Sequence, residues 1–276
     1  MIPMMAKKHL AAVVLAILLA LAAGATGMRA SEIDDGMPLI HMLRPLLHSG
    51  GDLGRRGRVP CDSWRFAVET NTLRDWDTVP ARCEKYVGNY MLGGHYRSDS
   101  RAVANEAIAY AEGLNLTGQG KEVWVFDVDE TTLSNLPYYA KHGFGERRRV
   151  EPYNWSTFGA YVKEANAPVL PETQRLYKRL QALGIKPVIL TGRREDKREA
   201  TANNLAAAGY TGYLKLLLKP QNVKVSSIEF KSGERKKLQD AGYVIVGNIG
   251  DQWTDLLGEP EGGRTFKLPD PMYYIG

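Results

Sequence analysis

Short apolar runs alternate with longer amphipathic segments through the second half of the chain, from residue 123 onward. The short runs fit buried strands, and segments with apolar positions three and four apart fit helices. Glycines follow three of these segments at 184, 209 and 242, and glycine commonly follows a helix end. The predicted strands are 123–126, 187–190, 213–217, 243–246 and 264–268, and the predicted helices are 171–183, 195–208 and 228–241.

Strands that alternate with helices predict an α/β fold, in which a parallel sheet is covered by helices on both faces. Upstream of this region, residues 64–69 alternate between apolar and polar positions and are predicted to form a strand. Residues 81–92 and 100–112 are predicted to be helices, the second capped by Asp99 or Ser100. These helices form an N-terminal helical segment ahead of the sheet.

The first residues have the pattern of a secretory signal peptide. Lys7 and Lys8 precede an apolar run at 10–23, and small residues follow, with Ala30 at one of several cleavage points. The run is short for a bilayer span, and no second one follows, although an uncleaved anchor is the alternative. We expect a signal peptide at 1–30 and a mobile leader at 31–60, which is rich in Gly and Arg and lacks periodicity.

Charge argues against one class of partner. The chain has 36 Lys and Arg against 31 Asp and Glu, for a formal charge of +5. Removal of residues 1–30 would leave 33 basic residues and a charge of +2. A nearly neutral chain gives no reason to expect nucleic acid as a partner. The basic run at 147–149 fits a solvated loop, or a loop that steers an anion toward a nearby site.

Cysteines and sequons add to the secretory interpretation. Cys61 and Cys83 are the only cysteines, and an even count behind a signal peptide predicts one disulfide. Neither cysteine lies in a catalytic motif. Asn115 and Asn154 begin Asn-X-Ser/Thr triplets and are predicted glycosylation sites, although such triplets also occur by chance.

Polar residues with catalytic potential lie at the exits of three of the predicted strands. In open parallel sheets, ligands bind beyond the carboxyl ends of the strands, so these residues form the candidate site. They are Asp127, Asp129 and Thr131 after the first strand, Thr191 and Gly192 after the second, and Asp251 and Asp255 after the strand at 243–246.

The spacing of Asp127 and Asp129 indicates a cation. In extended chain both side chains lie on one face, and carboxylates so close repel unless a cation lies between them. Mg²⁺ prefers oxygen ligands, and Asp251 would add another. This chemistry suits phosphoryl transfer, in which an aspartate can attack phosphorus and a second carboxyl can protonate the leaving oxygen. A hydroxyl such as Thr191 and an ammonium such as Lys231 would hold the phosphate oxygens.

Each motif also has a simpler interpretation. An Asp-X-Asp-X-Thr sequence is often a turn or a helix cap, and Thr-Gly-Arg alone is less specific still. Basic residues between 231 and 237 usually form a solvated helix face. The order and placement of all the pieces favour a catalytic site over these separate interpretations.

The motifs together resemble those of the haloacid dehalogenase superfamily, with Asp127-Val-Asp-Glu-Thr131 as its first motif. Longer stretches resemble the plant acid phosphatases and vegetative storage proteins, and the likeness runs from about Cys61 to the C-terminus. These stretches are 123–139, 247–255 and 269–276, with shorter ones at 89–92 and 96–99. The resemblance implies a Rossmann-like core with a small cap insert at about 137–170, in a phosphatase domain at 61–276.

The resemblance also implies catalytic roles. Asp127 would be the nucleophile and a metal ligand. Asp129 would be the general acid and base, with its backbone carbonyl on the metal. Thr191 and the Gly192 backbone would bind the phosphate, and Lys231 would bridge the phosphate and Asp127.

Further residues would support these groups. Asp251 would be the second carboxylate ligand of Mg²⁺, Asp255 its neighbour in the outer shell, and Thr131 a support of the first loop. Lys236 and Lys237 are alternatives to Lys231, which we prefer for its Phe-Lys-Ser context. Aromatic residues of the insert are candidates for the substrate entrance or for simple packing: Tyr138, Tyr139, Tyr153 and Trp155.

The resulting hypothesis is a secreted, Mg²⁺-dependent acid phosphatase that acts on small phosphate monoesters. The alternatives are a storage glycoprotein with weak or no activity, and a phosphotransferase that passes the phosphoryl group to an alcohol. The expected location is the secretory pathway, ending at the cell wall or in the vacuole. No membrane span is expected in the mature chain, and a homodimer is compatible with the sequence.

Overall fold

A computed structural model describes residues 60–145 and 154–276. The predicted signal peptide at 1–30 lies outside the described residues, as does the leader at 31–60 except for Pro60. Within the described ranges, no helix has the length and apolar character needed to cross a membrane.

Five parallel strands form the sheet, in the order β3-β2-β1-β4-β5. The central strand β1 is buried along its whole length, as its continuous apolar run predicts. The α/β fold with a parallel sheet is therefore confirmed. The strands are β1 Glu122–Phe126, β2 Lys186–Arg194, β3 Lys215–Lys219, β4 Val244–Gly250 and β5 Thr265–Lys267.

Helices cover both faces of the sheet. Trp124 and Phe126 of β1 pack with Leu176 on one face, whereas Val123 and Val125 pack with Phe230 on the other. The helices described are α1 Cys61–Glu69, α2 Glu84–Leu92, α3 Gly94–Glu112, α4 Leu136–Lys141, α5 Trp155–Lys163, α6 Pro171–Ala182, α7 Arg198–Ala207, α8 Ser227–Asp240 and α9 Trp253–Leu256, with 3₁₀ turns at Ala81–Cys83 and Glu195–Lys197.

The N-terminal segment corrects two predictions. The predicted strand at 64–69 is wrong, because these residues lie in helix α1. Trp64 and Val68 are buried one helical turn apart while Phe66 is 67% exposed, so the alternating pattern belonged to a helix face. The predicted start of α3 at Asp99 or Ser100 is also wrong: the helix begins at 94, and the buried Tyr96 extends its packed face.

A disulfide joins Cys61 at the start of α1 to Cys83 at the end of the 3₁₀ turn, as predicted. The region of the predicted insert contains α4 and α5, which lie between β1 and β2 in the chain. Tyr138 and Tyr139 are buried there, and Asn154 caps α5 by accepting a hydrogen bond from the Thr157 amide at 2.9 Å.

Candidate active site

Asp127 lies at the carboxyl edge of the sheet, directly after β1. Because β1 runs between β2 and β4, the loops that leave these three strands meet at one edge. The Asp127 amide donates to the Ile249 carbonyl of β4 at 3.2 Å, which fixes the backbone at this point. The strand exits predicted from the sequence are therefore neighbours in space.

Lys231 connects two carboxylates within this edge. Its Nζ donates to Asp127 Oδ1 at 2.5 Å and also to Asp255 Oδ1, and its side chain is buried. Lys236 and Lys237 pair instead with Asp240 and Glu234 on the exposed side of α8. Of the three lysines that the sequence left as candidates, the structure brings Lys231 to Asp127.

Three buried carboxylates could hold a cation. Oxygen atoms of Asp127, Asp251 and Asp255 all lie within 4.8 Å of one another. Burial and the neighbouring Asp255 raise the pKa of Asp251, since negative charge is costly to concentrate in a buried site. Burial likewise raises the pKa of Asp127, opposed by Lys231. An all-oxygen set with excess negative charge fits a hard divalent cation such as Mg²⁺.

The structure gives Asp255 and Asp129 different positions from those expected from the sequence. Asp255, expected as an outer partner, lies among the three gathered carboxylates. The Asp129 carboxylate points elsewhere: Arg193 donates to it from Nε at 3.2 Å and from its terminal nitrogen at 2.8 Å, and Asn135 donates at 2.8 Å. The spacing of Asp127 and Asp129 led us to expect a cation between their carboxylates, whereas Arg193 supplies the positive charge at Asp129. The contact of the Asp129 backbone carbonyl with metal stays a prediction.

The pKa of Asp129 is lowered, although burial alone would raise it. The opposing cause is Arg193, whose buried guanidinium supplies both charge and hydrogen bonds to the carboxylate. Sequence reasoning assigned no role to Arg193. Its position two residues after Thr191, in the same strand exit, was the available signal.

Asp251 is held by three donors. Thr131 Oγ1 donates to one oxygen at 3.1 Å, and Gln252 Nε2 and the Tyr273 hydroxyl donate to the other at 2.8 and 3.1 Å. Thr131 lies in the loop after β1, and its hydrogen bond therefore connects this loop to the carboxylate that follows β4. Tyr273 was not predicted, because it lies 22 residues further along the chain, outside the motif.

Glu130 is buried within the turn that follows β1, with a positive φ of 49°. Asn135 donates from its amide to the carboxyl group at 2.5 Å, and Ser134 donates its hydroxyl at 3.3 Å. Burial, together with the nearby Asp251 and Asp129 carboxylates, raises the pKa of Glu130 to about 8. The raised pKa favours the protonated, uncharged form of this side chain.

Thr191 is buried at the edge of β2, and its hydroxyl accepts from the Arg193 amide at 3.1 Å. The β2–β3 ladder shifts register between Thr191 and Arg194, so the backbone at Gly192 bulges out of the sheet. Gly192 is exposed and lines a cavity of about 540 Å³ that also contains Asp127 and Lys231. Of the predicted phosphate-binding residues, Gly192 and Lys231 line this cavity, whereas Thr191 lies buried behind Gly192 in β2 and is not part of the lining.

The wall of this cavity combines distant parts of the chain. Asp77, Tyr139, Gly145 and Met272 line it. The Val79 amide donates to the Gly145 carbonyl at 3.2 Å. A Cβ at Gly145, whose φ is +86°, would lie 2.0 Å from the Met272 carbonyl oxygen, so only glycine permits this close approach.

Comparison with known families agrees with this geometry. Residues 52–276 match the family model described as HAD superfamily, subfamily IIIB (Acid phosphatase).

Two named relatives are similar over most of the chain. Acid phosphatase 1 of Solanum lycopersicum is 42% identical over 233 residues, which cover 84% of this chain and 90% of the relative. Vegetative storage protein 2 of Arabidopsis thaliana is 45% identical over 216 residues, covering 78% of this chain and 80% of the relative.

Among solved structures, the class C acid phosphatase from Bacillus anthracis superimposes with a TM-score of 0.58 at 20% identity. The match covers 69% of this chain and 85% of that chain, and at this identity it supports the fold alone.

Proposed function

The chain belongs to the HAD superfamily, subfamily IIIB, the acid phosphatases, and is a phosphomonoester hydrolase; we propose that it acts through a phosphorylated Asp127. The resemblance to plant acid phosphatases and vegetative storage proteins is thereby confirmed. One observation carries the proposal: Lys231 links Asp127 to Asp255 at the floor of an open cavity.

In the proposed first step, an Asp127 carboxylate oxygen attacks phosphorus, and the bond from phosphorus to the ester oxygen breaks. Asp129 donates a proton to that leaving oxygen, which departs as the alcohol. In the second step, Asp129 takes a proton from water as the water oxygen attacks phosphorus; the bond from phosphorus to the Asp127 oxygen breaks, and inorganic phosphate leaves. Asp127 is restored as a carboxylate.

Charge on the phosphate oxygens is offset by groups of this chain. In the proposal, these oxygens are bound by the Lys231 ammonium, the Thr191 hydroxyl and the Gly192 amide. Donors that are already in position stabilise the charge of the transition state most strongly. A Mg²⁺ ion held by Asp127 and Asp251, with Asp255 beside them, would supply further positive charge to the phosphate. The gathered oxygens of these three residues support this assignment.

Arg193 affects the pH range in which Asp129 can act as the general acid. As general acid, Asp129 must carry a proton, whereas Arg193 favours its ionised form. Because its pKa is lowered, Asp129 carries this proton mainly at acidic pH, and we expect the enzyme to work best there.

Arg193→Gln is expected to raise the pKa of Asp129 and to move the alkaline limb of the kcat/KM profile upward by about one pH unit. Arg193→Lys, which keeps the charge, is expected to shift the limb less. Arg175→Gln, on the exposed face of α6, is the matched control. A profile that does not move in Arg193→Gln would remove Arg193 from this role.

The proposed function is tested by phosphate release from p-nitrophenyl phosphate and a panel of phosphomonoesters, with the chain purified from residue 61 onward. We expect activity with Mg²⁺, its loss on exhaustive chelation, and its return when Mg²⁺ is added. Activity that survives chelation would exclude the Mg²⁺ assignment, and absence of activity with every ester would exclude the hydrolase.

A storage role is the second candidate, and similarity to the Arabidopsis storage protein favours it. It does not require loss of the site, so abundance of the protein in tissue is the measurement that separates the two roles. A phosphotransferase needs the same residues with an alcohol in place of water. Product analysis in the presence of added alcohol distinguishes it from a hydrolase.

The remaining assignments concern the chain as a whole. We propose a signal peptide at 1–30, a leader at 31–60 and the phosphatase domain at 61–276, with its cap at about 137–170. Exposed Asn115 and Asn154 are proposed glycosylation sites, in keeping with a route through the secretory pathway to the cell wall or vacuole. Small phosphate monoesters are the proposed partners, nucleic acid is not, and a homodimer is proposed as the oligomeric state to test.

A further inference from the structure

Two cations lie side by side at the carboxyl edge of the sheet. After the register shift in β2, Arg194 becomes the direct neighbour of Lys219 on β3. Like charges opposite each other on adjacent strands destabilise a sheet. The bulge at Gly192 and Arg193 creates this pairing, because without it Arg194 would not face Lys219.

Lys197, in the 3₁₀ turn that follows β2, joins this pair. Arg194, Lys197 and Lys219 all line the cavity that contains Asp127, and we call them the basic rim. Their positions follow from the topology, since β2 and β3 both end at the edge of the sheet where the candidate active site lies. The rim and Asp127 therefore border the same cavity.

Neutral carbonyls, rather than carboxylates, contact the paired cations. Arg194 donates to the Gln221 carbonyl at 2.6 Å, and Lys219 Nζ donates to the Val225 carbonyl at 2.5 Å. Within residues 60–145 and 154–276, no carboxylate forms an ion pair with either side chain, whereas Lys197 pairs with Asp196 at 3.0 Å.

The acidic residues of the cavity lie elsewhere. Apart from the site residues Asp127, Asp129, Asp251 and Asp255, the described carboxylate that lines the cavity is the exposed Asp77. Burial lowers the pKa of Lys219, and the nearby Arg194 lowers it further, because each cation disfavours the charge of the other; the Glu229 carboxylate, which forms no ion pair with Lys219, opposes this in part. An anion placed between Arg194 and Lys219 would offset the repulsion between them.

We propose that the basic rim binds a second phosphate group of the substrate, so that the enzyme prefers esters phosphorylated at two positions. This inference rests on the proposed function, because it places the reacting phosphate at Asp127. The distal phosphate keeps its ester bond and serves only to bind. A phosphate monoester keeps at least one negative charge at acidic pH, because its second pKa is about 6, and Arg and Lys are its usual partners.

The test uses linear diols that carry one phosphate or two. For 1,3-propanediol, 1,4-butanediol and 1,6-hexanediol, kcat/KM is measured for the bisphosphate and for the monophosphate of the same diol. At least one spacing is expected to favour the bisphosphate by about tenfold, the effect of one charge-assisted contact at a partly exposed site. The preference should fall as salt rises.

Lys219→Gln and Arg194→Gln are expected to remove most of this preference. Lys215→Gln is the control, because Lys215 lies on β3 at the opposite edge of the sheet and does not line the cavity. The ratio of kcat/KM for the bisphosphate to kcat/KM for the monophosphate should be unchanged in Lys215→Gln.

Two outcomes would overturn the inference. One is equal kcat/KM for monophosphate and bisphosphate at every spacing. The other is an equal loss for both substrates in Lys219→Gln, which would mean that the rim only steers anions in general. If neither class of ester is hydrolysed, the proposed function itself fails, and the two failures are thus distinguishable.

Discussion

Asp127→Asn is expected to lower kcat for phosphate-ester hydrolysis by about four orders of magnitude or more. The amide is a poor nucleophile, so the phosphorylated intermediate cannot form at this side chain. The substitution is nearly isosteric, and Lys231 keeps its contact with Asp255. The fold and the thermal transition should therefore change little.

Phosphate release and circular dichroism on the same preparation measure these two effects. Asp240→Asn is the matched control, because Asp240 is 61% exposed and pairs with Lys236 on the far side of α8. Full activity in Asp127→Asn would refute the assigned nucleophile.

Arg235→Leu is expected to lower the free energy of unfolding by about 4 kcal/mol, through the loss of hydrogen bonds to four backbone carbonyls. Arg235 is fully buried on α8. Its guanidinium donates to the carbonyls of Asp255, Leu257, Gly258 and Pro260, at 2.6 to 2.7 Å. These carbonyls belong to α9, which carries Asp255, and to the segment that follows it, so the same change should weaken metal binding.

Urea denaturation with and without Mg²⁺ measures both effects. Arg235→Lys is expected to recover only part of the stability, since one ammonium cannot reach four carbonyls in this fork geometry. Lys236→Leu, at the exposed neighbouring position, is the control. A loss below about 1 kcal/mol in Arg235→Leu would contradict this account.

The sheet and its strand exits were predictable because both depend on local sequence. A buried strand such as β1 has a continuous apolar run, and the rule that sites lie at carboxyl ends placed Asp127 and Asp251 together. The helix α1 was not predictable in this way. The six residues 64–69 are too few to distinguish the two-residue alternation of a strand from the four-residue spacing of a helix face.

Tyr273 and Arg235 act through contacts that no local pattern indicates, and the position of Arg193 at a strand exit does not identify its partner. Arg193 reaches Asp129 across 64 residues, and Tyr273 reaches Asp251 from the C-terminal tail. Arg235 looked like one more basic residue on a solvated helix face, yet it is completely buried. Such roles depend on which loops the fold brings together, and the sequence does not specify those pairings.

The close approach of Gly145 to Met272, beside Val79, means that three remote stretches of chain share one side of the substrate cavity. None of the three contributes a group that touches phosphorus in the proposed reaction. Selectivity among alcohols can therefore diverge between related enzymes through changes in the tail or the first helices. Their hydrolytic chemistry would stay the same throughout such divergence.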